Sequence, residues 1–68
     1  MDDLHTYQIE IQGRVDESDI NAVGPLQMTV VQGNAESTLF VVRTDQSGLI
    51  GLLRTLHGRG LVLLSVHS

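Results

Sequence analysis

Three histidines are the side chains of this sequence with the most direct capacity for chemistry: His5, His57 and His67. Imidazole nitrogens bind zinc when three or four ligands are held at fixed spacing or on converging strands. Two of these histidines lie near opposite ends of the chain, and the third falls in a predicted helix. No ligand spacing connects them, so the sequence predicts no metal site.

Catalytic patterns of other kinds are also missing from the sequence. The acidic run from Asp16 to Asp19 lacks the glycine that a calcium-binding loop needs at its sixth position. All five serines lie outside a Gly-x-Ser-x-Gly turn, and the chain has no glycine-rich phosphate loop. We therefore expect neither an enzyme nor a cofactor.

Charge and composition argue against nucleic acids and membranes as partners of this protein. The net charge is −4, with eight acidic residues against four arginines and no lysine. Nucleic-acid-binding proteins carry a basic surface instead, and the only aromatic residues here are Tyr7 and Phe40, which leaves no platform for stacking bases. No apolar run approaches the ~20 residues of a membrane span. With no cysteine, the chain suits a reducing compartment, and we expect a soluble, cytoplasmic protein without nucleic-acid or membrane partners.

The elements that would position any site begin with an alternating segment. Apolar Tyr7, Ile9 and Ile11 alternate with polar residues, which is the period of a half-buried strand. The run from Ile20 to Val23 has room for about one helical turn. Gly24-Pro25 should end that turn, because proline cannot continue a helix.

A hairpin, a helix and a strand are predicted in the rest of the chain. The segments 26–32 and 38–43 are joined by five turn-forming residues and should pair as a hairpin. From about residue 45 to 58 the apolar residues recur on one face, which predicts an amphipathic helix capped by Thr44 or Asp45. Its end should fall at Gly58 or Gly60. Residues 61–66 form an apolar last strand.

This order predicts one α+β domain over residues 1–68. It has two layers, with a mostly antiparallel four-stranded sheet under one main helix. Two topologies fit. One is a ferredoxin-like βαββαβ plan with a vestigial first helix, because its first crossover has only about ten residues where a dozen or more are usual. The other is a three-stranded meander followed by a helix and an edge strand.

The main helix looks too small to cover the predicted sheet. It would be roughly 21 Å long and about 10 Å across, whereas four strands give a sheet nearly 20 Å wide. Two strands are apolar on both faces, which is typical of sheets covered on both sides. We therefore expect a homo-oligomer, in the form of the common symmetric dimer, in which a second copy covers the face or edge formed by Leu39, Val41, Val62, Leu64 and Val66.

Two glycines lie inside the predicted helix, where each costs about 1 kcal/mol relative to alanine. Gly48 and Gly51 fall on the polar side near the N-terminus. They indicate either an irregular first turn or a close approach to the backbone by another subunit or a ligand.

Several segments of the chain resemble a family of short, uncharacterised bacterial proteins. The resemblance rests on the strand start Tyr7, Ile9 and Gly13, and on an Asp45-Gln46…Gly51-Leu52-Leu53…Leu63-Leu64-Ser65-Val66 signature. Such sequences often carry tryptophans after the first strand, and none occurs between Asp16 and Gly24. The resemblance implies a shared α+β fold and no specific activity.

The segment 45–66 is also similar to the first half of ACT regulatory domains, in which an Asp-x-x-Gly-Leu turn opens a helix and a Leu-Ser-Val strand follows. Here the unit comes last in the chain, so the order is permuted. In ACT domains this turn binds amino acids at a subunit interface. The resemblance implies ligand contacts from Asp45, Gln46, Gly48 and Leu49.

Two functions follow as expectations from the sequence. The first is a non-enzymatic module that associates with itself. The second is a regulatory domain of ACT-like type that binds a small ligand, either an amino acid or an anion.

Overall fold

The computed structural model describes residues 4–23 and 26–68 of the chain. In chain order its elements are β1 (His5–Gln12), α1 (Glu17–Val23), β2 (Met28–Gly33), β3 (Ser37–Thr44), α2 (Gln46–Gly58) and β4 (Leu63–His67). The predicted helix stop at Gly24-Pro25 lies outside the described residues.

The strands form a four-stranded sheet in the order β2-β3-β1-β4, and every neighbouring pair is antiparallel. Because β1 lies between β3 and β4, the connections are those of the ferredoxin-like βαββαβ plan, and the alternative meander is wrong. The α+β class and the hairpin of β2 and β3 are confirmed. Helix α1 has seven residues rather than the single turn predicted, so the first crossover is short but genuinely helical.

Both helices lie on one face of the sheet and enclose the core with it. The apolar positions of β1 and β3 that alternate toward this face are fully buried, and each helix adds residues from its apolar side. The buried cluster consists of Ile9, Ile11, Ile20, Met28, Phe40, Val42, Leu52 and Leu56.

Helix α2 begins and ends with well-formed caps. The Asp45 side chain accepts a hydrogen bond from the Gly48 N–H at 2.7 Å, which makes Asp45 the N-cap. At the other end Gly60 has φ +82°, a conformation that glycine adopts without strain. Its N–H donates to the His57 carbonyl at 3.0 Å, and the Leu61 N–H donates to the Leu56 carbonyl at 3.1 Å. This pair of bonds is a Schellman motif, and it turns the chain back toward β4.

A buried hydroxyl fixes the connection between β1 and α1. Thr38 is 1% exposed; its Oγ1 donates to the Gly13 carbonyl at 2.8 Å and accepts from the Val15 N–H at 3.0 Å. These bonds join β3 to the loop that enters α1, so the position of α1 over the sheet depends partly on Thr38.

Candidate interaction surface

The two edges of the sheet differ in what their backbone groups contact. At the β2 edge, Asn21 of α1 accepts from the Met28 N–H at 2.6 Å and donates to the Met28 carbonyl at 3.0 Å. Glu17, one turn earlier in α1, accepts from the Val30 N–H at 3.3 Å. We call this the capped edge, because side chains of α1 occupy backbone groups that would otherwise pair with another strand.

The β4 edge has no comparable cover within residues 4–23 and 26–68. None of the side-chain hydrogen bonds in this part of the chain reaches a backbone group of β4. The strand carries no lysine, arginine or proline, which commonly prevent pairing at sheet edges, and its one irregularity is a register shift at Leu64 that leaves Ser65, Val66 and His67 in regular pairing with β1. Leu63 and Leu64 are 46% and 50% exposed. We call this the open edge.

An apolar groove runs beside the open edge, between α2 and the segment 60–63. Its volume is about 660 Å³. Ile50 from α2 and Val62 from the opposite wall remain 46% and 51% exposed, and Ile11 of β1 is among the groove's lining residues. The remaining lining residues are Leu53, Arg54, Leu56, His57, Gly60, Leu61 and Leu63. We call this the α2–β4 groove.

The sheet face opposite the helices is mixed rather than apolar. Glu10 lies at its centre and accepts hydrogen bonds from Ser37 Oγ at 3.1 Å and from Ser65 Oγ at 3.5 Å. Leu39 pairs with Glu10 in the register, and Val41 pairs with Gln8. On this face, the two apolar side chains of β3 therefore each have a polar neighbour on β1, and Leu39 and Val41 are only half-buried.

The structure separates the five predicted interface residues into three groups. Leu39 and Val41 lie on the face opposite the helices, whereas Val62 and Leu64 lie at the open edge and the groove. Val66 pairs with Ile9 and packs against the core on the helix side. The cause is a register shift between β1 and β4, in which Ser65 pairs with Glu10 and Leu63 with Ile11, so Leu64 is an extra residue. Alternation in the sequence alone does not reveal such a shift.

The predicted ligand turn is compact, and its polar groups bond to one another. Asp45 accepts from the Gly48 N–H through its side chain and from the Leu49 N–H through its carbonyl, at 2.7 and 3.0 Å. A β-carbon placed on Gly48 would overlap the Thr44 hydroxyl. Gln46 is exposed, while Leu49 packs against the core. The four residues come together, and the cap accounts for the Asp45 carboxylate and the Gly48 amide.

The three histidines make separate contacts in the structure. The His5 ring meets the Tyr7 ring edge to face, with centroids 6.2 Å apart. His57 is exposed at the groove, and His67 pairs with Gln8 in the register. In the part of the chain that the structure describes, no three histidine, aspartate or glutamate side chains are grouped so that they would hold a metal ion.

Sequence reasoning missed three residues of this surface. Ile50 falls within the apolar arc of α2, a position that on its own favours burial, yet it lines the open groove. Asn21 falls in the predicted helical turn and Glu17 in the acidic run before it, and neither position predicts a contact with a strand edge. The one available signal was the polar character of α1 beside a predicted edge strand, which does not specify the bonds that these side chains make.

Within the described residues, none of the helices has the length and apolar character that a membrane span requires.

Comparisons with other proteins give a family and no activity. The chain has no significant match among curated proteins or among solved structures. A family model covers almost its whole length, from residue 6 to residue 67. The chain therefore belongs to the family described as a domain of unknown function, DUF8691.

Proposed function

We propose that this protein is a non-catalytic module that acts by associating with a second copy of itself. The observation that carries the proposal is the apolar surface left uncovered around the α2–β4 groove. Ile50, Val62, Leu63 and Leu64 are each about half exposed and lie on adjoining segments. Single exposed aliphatic residues are ordinary on proteins, but a contiguous group beside an open strand is typical of an interface.

The energetic argument follows from the size of the chain. Burying apolar surface contributes about 25 cal/mol per Å². Fully burying one aliphatic side chain contributes about 1.5–3 kcal/mol, so covering the exposed halves of these four contributes on the order of 3–6 kcal/mol per subunit. The hydrophobic core of a chain this short supplies only roughly 3–5 kcal/mol in total, so the apolar surface buried by association would add a large fraction of the stability. Association is a common way for small domains without disulfides or metals to gain it.

The amino-acid composition favours a particular cell compartment and class of partner for this module. The chain contains no cysteine and has a net charge of −4. The absence of cysteine suits a reducing cytoplasm, and the resemblance to short bacterial proteins favours a bacterial cell. The acidic balance also favours a protein partner over nucleic acid.

Size-exclusion chromatography with light scattering tests the proposal over a hundredfold range of protein concentration. The expected result is a mass of twice 7.4 kDa at the upper end of the range. Dilution should shift the mass toward one copy if the dissociation constant lies within the range. A mass of one copy at every concentration, up to the millimolar level, would contradict the proposal.

A second candidate function is the binding of a small apolar anion in the α2–β4 groove. Its volume of about 660 Å³ lies within the range of small-molecule sites. Arg54 and His57 are the polar side chains that line it, and no acidic residue of the segments 4–23 and 26–68 does. An aliphatic ligand with a carboxylate would match both properties.

An NMR titration separates the two candidates. We would add leucine and hexanoate to the labelled protein and follow the amides of α2 and of residues 60–63. Saturable shifts confined to the groove, with Arg54→Gln weakening them, would support the ligand. Shifts that do not saturate, or that leave the groove unchanged, would rule it out.

A further inference from the structure

We infer that the second copy pairs with the open edge, β4 against β4 in antiparallel orientation, and that Asn21 and Glu17 prevent the same growth at the capped edge. This inference rests on the proposed self-association and assigns its interface and its stoichiometry. Its basis is the contrast between the two edges of one sheet.

The capped edge is blocked by specific hydrogen bonds. A strand that docked there would have to displace Asn21 from both backbone groups of Met28, at 2.6 and 3.0 Å, and Glu17 from Val30. The incoming strand would satisfy the Met28 and Val30 backbone groups itself, but the Asn21 amide would lose both of its partners, and an unpaired polar group costs about 1–3 kcal/mol where it stays buried. An incoming strand therefore gains less binding free energy at this edge than at β4.

The open edge combines a free strand with apolar surface. Within the described residues, β4 has only β1 as a neighbour, so its outer side is available to another strand. Leu64 and Val62 lie exposed beside it. An added strand would therefore gain backbone hydrogen bonds and apolar contacts at the same place.

A second copy of the chain satisfies this edge better than an unrelated peptide. Antiparallel pairing of β4 with itself is a two-fold interface, in which the same apolar patch is used by both partners. The two-fold axis is perpendicular to the sheet, so both helical layers lie on the same side and the two α2–β4 grooves face each other across the junction. Ile50 and Leu53 of each copy would then line one shared apolar interior.

The stoichiometry follows from the capped edge. After β4 pairs with β4, the outer edges of the resulting eight-stranded sheet are two β2 strands, each covered by its own Asn21 and Glu17. Head-to-tail pairing of β4 with β2 would produce an open-ended fibre. The side chains of α1 disfavour that arrangement, so the assembly stops at a dimer.

The test compares Leu64→Lys with Val31→Lys by sedimentation equilibrium. The two residues form a matched pair: both are extra residues at register shifts in edge strands, and they are 50% and 54% exposed. A lysine at the open edge would bring one ammonium group from each copy into the apolar junction, so L64K should raise the dimer dissociation constant at least about tenfold. V31K should leave it unchanged. Val62→Lys provides a second disruption should L64K fold poorly, which circular dichroism would show.

The outcomes distinguish the inference from the proposed function. If the wild type dimerises and neither L64K nor V62K weakens the dimer, the interface lies elsewhere and this inference is wrong, while self-association stands. If the wild type is monomeric throughout, both are wrong. The capped edge is tested by the double variant E17A/N21A, which should form species larger than a dimer. A folded double variant that remains dimeric at millimolar concentration would contradict the role assigned to α1.

Discussion

The side-chain hydroxyl of Thr44 occupies the space that a β-carbon on Gly48 would need. Thr44 is the last residue of β3 and is 5% exposed, and Gly48 lies in the first turn of α2. The sharp passage from strand to helix brings the two together. The close approach that a glycine here indicates is therefore made by Thr44 of the same chain.

Replacing Gly48 with alanine should destabilise the protein, whereas the same change at Gly51 should stabilise it. At Gly48 the new methyl group would meet the Thr44 hydroxyl, and Asp45 Oδ1 lies 3.2 Å from its position. At Gly51 a β-carbon would have no atom within 4 Å apart from its chain neighbours and the backbone of the helix itself. Alanine gains about 0.5–1 kcal/mol at an unobstructed helix position, and forced overlap in a packed site costs about 1–3 kcal/mol. Urea denaturation of both variants at one protein concentration measures the difference. Equal effects of the two substitutions would disprove the role assigned to Thr44.

Removing the Thr38 hydroxyl should destabilise the protein, even when valine keeps the shape of the side chain. In Thr38→Val the Gly13 carbonyl and the Val15 N–H lose their partner inside a nearly closed site. Leaving buried polar groups unpaired costs about 1–3 kcal/mol. Thr38→Ser is the control, since it keeps the hydroxyl and loses only a methyl group. Thermal unfolding should rank the wild type first, then T38S, then T38V. Stability of T38V at or above that of T38S would show that the hydroxyl makes no such contribution.

Changing the Asp45 side chain should affect stability through the cap of α2. Asp45→Ala removes the acceptor for the Gly48 N–H and should cost about 0.5–2 kcal/mol. Asp45→Asn retains an acceptor oxygen and should retain most of the stability. Chemical denaturation of the three proteins provides the comparison. Should D45A match the wild type while D45N does not, capping is not the function of this residue.

Much of the fold was accessible from local sequence patterns, because local patterns set local structure. The alternation from Tyr7 to Ile11 and the apolar face of α2 correspond to β1 and to the main helix. Gly60 ends that helix through its left-handed backbone, as its position after the last periodic residue suggests. The strand order depends on long-range pairing, and two topologies therefore remained open until β1 was seen between β3 and β4.

The candidate site was less accessible, since it depends on tertiary details. The extra residue Leu64 in β4 changes which side chains share a face, so Val66 lies inside and Leu64 at the edge. The cover of the other edge consists of two side-chain contacts from α1, and no spacing rule encodes them. The general expectation of uncovered apolar surface was made from the sequence, while its location came from the structure.

One NMR experiment addresses self-association through β4 most directly. Isotopically labelled and unlabelled chains are mixed in equal amounts, and a filtered nuclear Overhauser spectrum then records only contacts between different copies. We predict cross-peaks that join β4 of one copy to β4 of another, with further contacts among Ile50, Val62 and Leu64 around the groove. A spectrum without cross-peaks at millimolar concentration, or with cross-peaks only from β2 or from Leu39 and Val41, would contradict the account.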